Sequence, residues 1–364
     1  MKKDIRALAA SGALAFSVAC AVPTLAYATE APSDVDTVDA AITWANTYLD
    51  DSPSLLGAED GNGWELLATN DSSWDLEEVT SDTSWYSAGA QSYTISSGSQ
   101  LMGLAQLVNA GTDFSGKTVT LASDVVFIRT DITVIGDASN PFNGTFDGGG
   151  HSIRGYSYTT AADAGERAEN IALFGVCGTD SLIKNVNVSG ATITVTRSAA
   201  SAQAVTGVAA LVANTQGSVE NCTVDASVNV RVDTPQTASL FSVINNVGGV
   251  AGYVGGDVKN CNFRGSVTTY TNTAGSDATD GNGRSPGLVV AQHIGGVAAA
   301  CAGDISKCGF FGSINAQSPC EAGVDRFGET ISAKTESVGG VVGYTDGSVS
   351  DLFTNGSVYA PQGT

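Results

Sequence analysis

Histidine, basic side chains and long apolar runs are all scarce in this chain, and each scarcity removes a class of function. The only histidines are His151 and His293, and no H-E-x-x-H occurs, so a zinc hydrolase of that type is excluded. No C-x-x-C pair is present, which removes the commonest thiolate metal site. Lys and Arg together number 16 against 37 acidic residues, giving a net charge of −21. Nucleic acid and anionic membranes both require a basic footprint, so neither is an expected partner. Past the first residues no stretch approaches the length and apolarity of a membrane-spanning helix. Proline is rare as well, at 8 against 44 glycines, which favours many tight turns between short strands.

What is present begins with an export leader. Lys2, Lys3 and Arg6 precede the apolar run Ala7–Val22, and Ala26-Tyr27-Ala28 supplies a small-residue processing site after Ala28. Cys20 raises a lipid-anchored alternative, but Ser17 stands where a leucine is wanted. Removing 1–28 takes away three basic residues and one acidic residue, so the charge becomes −23. Residues 29–92 form an acidic region, and 29–100 hold fourteen acids, no Lys or Arg, and all four tryptophans. Val38, Ile42, Ala45 and Leu49 fall at helical spacing, predicting one short helix there. Asp60-Gly-Asn62-Gly-Trp64-Glu65 resembles a calcium loop only faintly, because Trp64 stands where an oxygen ligand belongs.

Gly111–Thr118 reads GTDFSGKT and fits the phosphate-loop pattern at every fixed position. That mechanism needs a strand before the glycines and a helix starting at the lysine. Here a helical pattern (Leu101, Leu104, Ala105, Leu107, Val108), with a serine cap at Ser97 or Ser99, precedes Gly111. The β-branched run KTVTLASDVVF follows the lysine. The order is reversed, and no nucleotide or other cofactor is expected.

From Ala172 the chain repeats itself. Units begin at Ala172, Ala210, Gly249, Gly296 and Gly340, at intervals of 38, 39, 47 and 44 residues. Each has a small-apolar-small strand, a glycine-rich turn, a (V/I)-x-(N/K/D)-C-x-(V/F) strand and (G/A)-S-(V/I). Such units are too short to bury a core alone and must stack, like above like. Stacking puts Val186, Cys222, Cys261, Cys308 and Leu352 in one structural ladder, the cysteines serving as small buried hydrophobes. Parallel side chains seldom give the crossed disulfide dihedral, so free thiols are favoured in the ladder. Six cysteines follow the leader, and an even number in an exported chain permits bridges. A bond between Cys301 and Cys320 remains open, as does the state of Cys177. Extra residues enter at one phase, after the G-S-V strand, and are expected to project as loops on one face. Asp233, Tyr270, Arg284, Arg326 and Glu329 are the candidate interaction residues in those loops.

The order TISSGSQLMGLAQLVNAGTDFSGKTVTLASDVVF, PFNGTFDGGGHSIRG, IALFG, then repeated GGVxGY…GxVxNCxxxGSV resembles the bacterial GLUG-motif surface proteins. The resemblance spans about Tyr93 to Tyr359. Ala172 and Ala210 depart from it by replacing a glycine, and Val208-Ala209 is off pattern. It implies an all-β fold: a right-handed parallel β-helix, a single-stranded solenoid over 93–364. A short helical N-terminal cap would lie at 97–111, GLUG-like repeats at about 172–360, and the acidic, Trp-containing extension before them. It also implies an exported cell-surface protein with an adhesin-like or scaffolding role. A host or cell-surface glycan or glycoprotein is then the expected partner. No reaction is implied.

The competing class is a carbohydrate-active β-helix enzyme, which needs clustered carboxylates. Asp124, Asp131, Asp137 and Asp147 are the candidates, with Asp147, His151 and Arg154 as an alternative catalytic group. Turn roles explain each of them, Asp147 as an Asx residue. Asp277 and Asp280 are candidate calcium ligands in a projecting loop. The last repeat stops shortly after Tyr359 with apolar Val341, Val342, Val349, Leu352 and Phe353, leading to the expectation of further domains beyond 364 or pairing with another chain.

Overall fold

Parallel pairing between successive repeats organises the chain, as seen in a computed structural model. It describes residues 80–127, 131–160, 168–198, 203–234, 242–273, 288–317, 323–324, 330–335 and 337–361. The chain divides into two units, Met1–Asp75 and Leu76–Thr364, and every described residue lies in the second. The leader expected to end at Ala28, the helix expected over Val38–Leu49 and the turn expected at Asp60 fall outside the described residues.

From Ala168 onward each coil visits four sheets, labelled A to D, in the order D, C, A, B, and the earlier strands belong to A and B. The coil around Gly249 uses Ser242–Gly248 in D, Ala251–Val254 in C, Val258–Lys259 in A and Asn262–Thr273 in B. Sheet A stacks eight strands in chain order, from Ser92–Ile95 to Val349–Ser350. Among the described residues one pairing is antiparallel, Gly323–Val324 with Thr330–Thr335. The fold is all-β, mostly parallel and β-helix-like, with a single helix among the described residues.

Small residues make the bends between sheets possible. Gly249 is the clearest case, because a Cβ there would lie 2.2 Å from Gly296 O and 2.3 Å from Phe263 Cδ2. Phe263 and Phe310 stack in the interior with ring centroids 6.4 Å apart, each against its own coil's bend glycine, Gly249 and Gly296. The departures from the repeat pattern now have a physical reason. Where the bend residue is Ala172 or Ala210, the inward residue in register with Phe263 is Val188 or Val224. A smaller side chain on the sheet leaves room for a methyl at the bend.

A polar column runs beside this core. Asn185, Asn221 and Asn260 occupy the left-handed region at φ 55, 54 and 51°. Asparagine tolerates that region because its amide can bond locally. Asn260 Nδ2 donates to Asn221 Oδ1 at 3.0 Å, Asn221 Nδ2 to Asn185 Oδ1 at 3.3 Å, and Asn185 Nδ2 to Asp147 Oδ1 at 2.9 Å. Lys307 and Asp351 continue the same backbone conformation in the last two coils.

At the N-terminal end the helix Gly98–Asn109 lies over the first full coil. Ser97 caps it by accepting from Gln100 N–H at 3.2 Å. Gly111 N–H to Val108 O and Thr112 N–H to Leu107 O close its other end. Leu101, Met102, Leu104, Ala105 and Val108 are buried, and Asn109 bonds Val134 O and Gly136 N–H at 2.9 and 2.8 Å. Covering this end also involves residues 80–90, which cross the helix at Gly103, where a Cβ would sit 1.9 Å from Asp82 O. Lys117 follows a turn (N–H to Phe114 O, 2.9 Å) and leads into the strand Thr118–Leu121, the reverse of a phosphate loop.

Candidate functional site

The residues added between repeats continue the sheets. In sheet B the strands Asn187–Ser198, Thr223–Thr234 and Asn262–Thr273 are twelve residues long and pair in register almost throughout. Their inward residues Val228, Val230 and Val232 are buried and pack towards sheet D, where Val205 and Ile244 are buried in turn. The expectation that Asp233 and Tyr270 stand in loops is therefore corrected, since both are on strands. The reason is alternation: SVNVRVD and SVTTYTN keep period 2 past the G-S-V sequence, and β-branched residues at every second place fit a half-buried strand. Arg231 and Tyr270 are neighbours in this register, with the guanidinium carbon 4.1 Å from the ring centroid. Asp277, Asp280, Arg284, Arg326 and Glu329 lie outside the described residues.

The acidic candidates of the first coils do not form a shared constellation. His151 Nδ1 and Arg154 Nη2 face Asp124, at 3.5 and 3.1 Å, rather than Asp147. The Ser152 N–H and the nearby Arg154 charge hold Asp124 below the usual carboxylate range despite partial burial. Burial opposes the charge of Asp147, yet bonds from Asn185, the Gly149 N–H and Lys184 hold it below its ordinary value. Asp131 accepts from Ser157 Oγ at 2.7 Å, and Asp137 from the Ser139 and Asn140 N–H groups at 2.7 and 2.8 Å. Asp137 also lines an open cleft of about 390 Å³ with Asn109, Tyr158 and Glu169. Carboxylates committed to turn amides are poorly placed for proton transfer to a substrate. Among the described residues no group of three or more His, Cys, Asp or Glu is set to hold a metal.

The cysteines occupy the interior. Thr223 N–H bonds Val186 O, Asn262 N–H bonds Cys222 O, Gly309 N–H bonds Cys261 O and Phe353 N–H bonds Cys308 O, which stacks the five ladder residues in consecutive coils. Val186, Cys222, Cys261 and Cys308 are buried, and each thiol reaches the carbonyl two residues before it at 3.2–3.3 Å. Contact with Cys222 and burial together push the Cys261 thiol well above its ordinary range. Burial raises Cys308 and Cys301 to about 11. Leu352 is a correction: it is 38% exposed, because Cys308 covers it on one side and no described coil covers the other. Cys177 and Cys301 are buried free thiols, so the bridge left open for Cys301 is absent. Cys320 lies outside the described residues.

Among the described residues no helix is long and apolar enough to cross a membrane. Comparison with known proteins adds a sequence motif. The family model of the GLUG motif matches residues 245–268, the stretch that holds the Gly249 bend, Asn260, Cys261 and Phe263. No curated protein matches the chain. A crystal structure from Bacteroides ovatus, described as a candidate immunoglobulin A1 protease, is similar over 71% of this chain and 83% of its own. Its identity of 17% and TM-score of 0.32 are too low to carry an argument.

Proposed function

From the GLUG motif at residues 245–268 we propose that the chain is a GLUG-type exported bacterial surface protein whose role is adhesin-like binding or scaffolding. In this reading the leader is removed after Ala28, the coils wind as a right-handed parallel solenoid, and a surface glycan or glycoprotein is the partner. The observation that carries the proposal is the lengthening of sheet B at one phase of every middle coil. Side chains of the same row then lie about 4.8 Å apart from coil to coil. The result is a broad ordered face, which suits recognition of an extended partner better than chemistry at one point. The commitment of Asp124, Asp131, Asp137 and Asp147 to local bonds favours binding over catalysis. The test is to probe the purified chain on a glycan and glycoprotein array and on intact cells, alongside surface labelling of the producing cell. Finding the protein only inside the cell, or no binding in any format, would refute it.

A further inference from the structure

The outward rows of the lengthened sheet B have a composition unlike the rest of the molecule. One row runs Ser157, Thr192, Ser227, Ser266, Ser313, Ser357, six hydroxyls in six paired strands. The next, two residues along, runs Thr159, Thr194, Asn229, Thr268, Asn315, Tyr359. A third holds Thr196, Arg231, Tyr270 and Gln317. The intervening residues Ile193, Val228, Val267 and Ile314 are buried, so the rows face outward by alternation. From Thr192 to Gln317 these rows contain neither a carboxylate nor an aliphatic side chain, in a chain with 37 acidic residues. Asp131 borders the face at its first rung, through Ser157, and the rows on either side carry Asp225 and Asp233 at one coil each.

Neighbouring groups already hold one another in place. Ser227 Oγ and Ser266 Oγ are 3.1 Å apart, Asn229 Nδ2 donates to Ser227 Oγ at 3.1 Å, and Gln317 Nε2 donates to Asn315 Oδ1 at 3.0 Å. Hydroxyls and amides both donate and accept, so each retains capacity for a ligand. A lattice of this kind suits a partner that is itself a row of hydroxyls. We propose that this face binds an uncharged, extended polysaccharide, with Tyr270 and Arg231 as its anchoring pair.

The alternatives fit less well. A protein partner is expected to meet an apolar, aromatic-rich core, and Tyr270 is the one aromatic residue in the rows between Thr192 and Gln317. Anionic glycans are disfavoured by the net charge of −21. Regular hydroxyl rows can also order water into an ice-like layer, but Asn229, Asn315, Arg231, Tyr270 and Gln317 interrupt the threonine pattern. Each neutral hydrogen bond is weak, so affinity accumulates over several rungs.

The proposal rests on the binding role argued above and is tested apart from it. The full chain is run in native gels containing laminarin, yeast mannan or dextran as neutral probes, and polygalacturonate or heparin as anionic ones. At least one neutral probe is expected to retard it, and neither anion. N229D combined with T268D places carboxylates on the face and is expected to weaken retardation at least tenfold. S350D in sheet A is expected to leave it unchanged. Far-UV circular dichroism establishes that both variants fold. No retardation by any neutral probe, a preference for the anions, equal retardation of the double variant, or thermal hysteresis would each overturn the proposal. Binding to cells or glycoproteins that survives in the double variant would overturn this face alone and leave the broader role standing.

Discussion

Gly249→Ala adds a single methyl, and the structure assigns it a cost far larger than its size. The new Cβ would lie 2.2 Å from Gly296 O and 2.3 Å from Phe263 Cδ2, so both the carbonyl and the ring must retreat by more than 1 Å to reach contact of about 3.4 Å. Overpacking of this kind costs roughly 1–3 kcal/mol. Moving the carbonyl also strains the bond from Gly249 N–H to Gly296 O, 3.0 Å, worth about 1 kcal/mol. Loss of glycine freedom in the unfolded chain returns about 0.4–1 kcal/mol. The net expectation is destabilisation of about 2–3 kcal/mol. Phe263→Val alone opens a cavity and costs about 2–4 kcal/mol. Combined, the two recreate the Ala210 and Val224 arrangement of the preceding coil, so the double variant should cost less than the sum by at least ~1 kcal/mol. Urea unfolding followed by circular dichroism, with the slope compared across all four proteins, gives the cycle. Additivity within about 0.5 kcal/mol, or a stabilising Gly249→Ala, would refute the complementarity of bend and sheet.

Gly103→Ala should destabilise by about 1–3 kcal/mol although helix propensity favours alanine by about 1 kcal/mol, because the methyl meets Asp82 O; a raised melting temperature would contradict this. Cys222, Cys261 and Cys308 should resist thiol reagents until the chain unfolds, and rapid native labelling would place them elsewhere. Cys261→Ser should cost about 1 kcal/mol, the low end for a buried hydroxyl, since Lys259 O is already 3.3 Å from the sulfur and can accept. Stability should fall in alkali: Cys301 and Cys308 stay neutral in the fold up to about 11, while unfolded thiols ionise from about 9. That stabilisation is fully present below pH 9 and is lost as pH rises to 11, amounting to ~1.4 kcal/mol per thiol at pH 10. Replacing both by alanine should flatten the profile, and an unchanged slope would count against the assignment.

Periodicity made much of the fold legible. Small-apolar-small triplets, the recurring N-C step and the helical spacing before Gly111 all describe local geometry that neighbouring residues determine. What alternation also encoded was the length of the sheet B strands. The motif ends at G-S-V, and unequal intervals suggested loops, yet TITVT and SVNVRV carry a strand signal past it. The outward Ser and Thr rows could have been found from that signal. Other features depend on register, which no single segment contains. His151 meets Asp124 rather than Asp147 because they stand in adjacent coils. Ala210 looks like a departure until it is paired with Val224.

The asparagine column has an electrostatic consequence. Each amide donates towards the preceding coil, and Asn185 and Asn221 accept from the following one, so the side-chain dipoles of Asn185, Asn221 and Asn260 align head to tail along the stack. Sheets ordinarily carry little net dipole, and this row gives the stack a directed one. Its positive end meets the carboxylate of Asp147, and beyond its negative end the next position in the column is Lys307. That is the charge distribution that stabilises the two ends of an α-helix, reproduced here by side chains where the described residues hold a single helix.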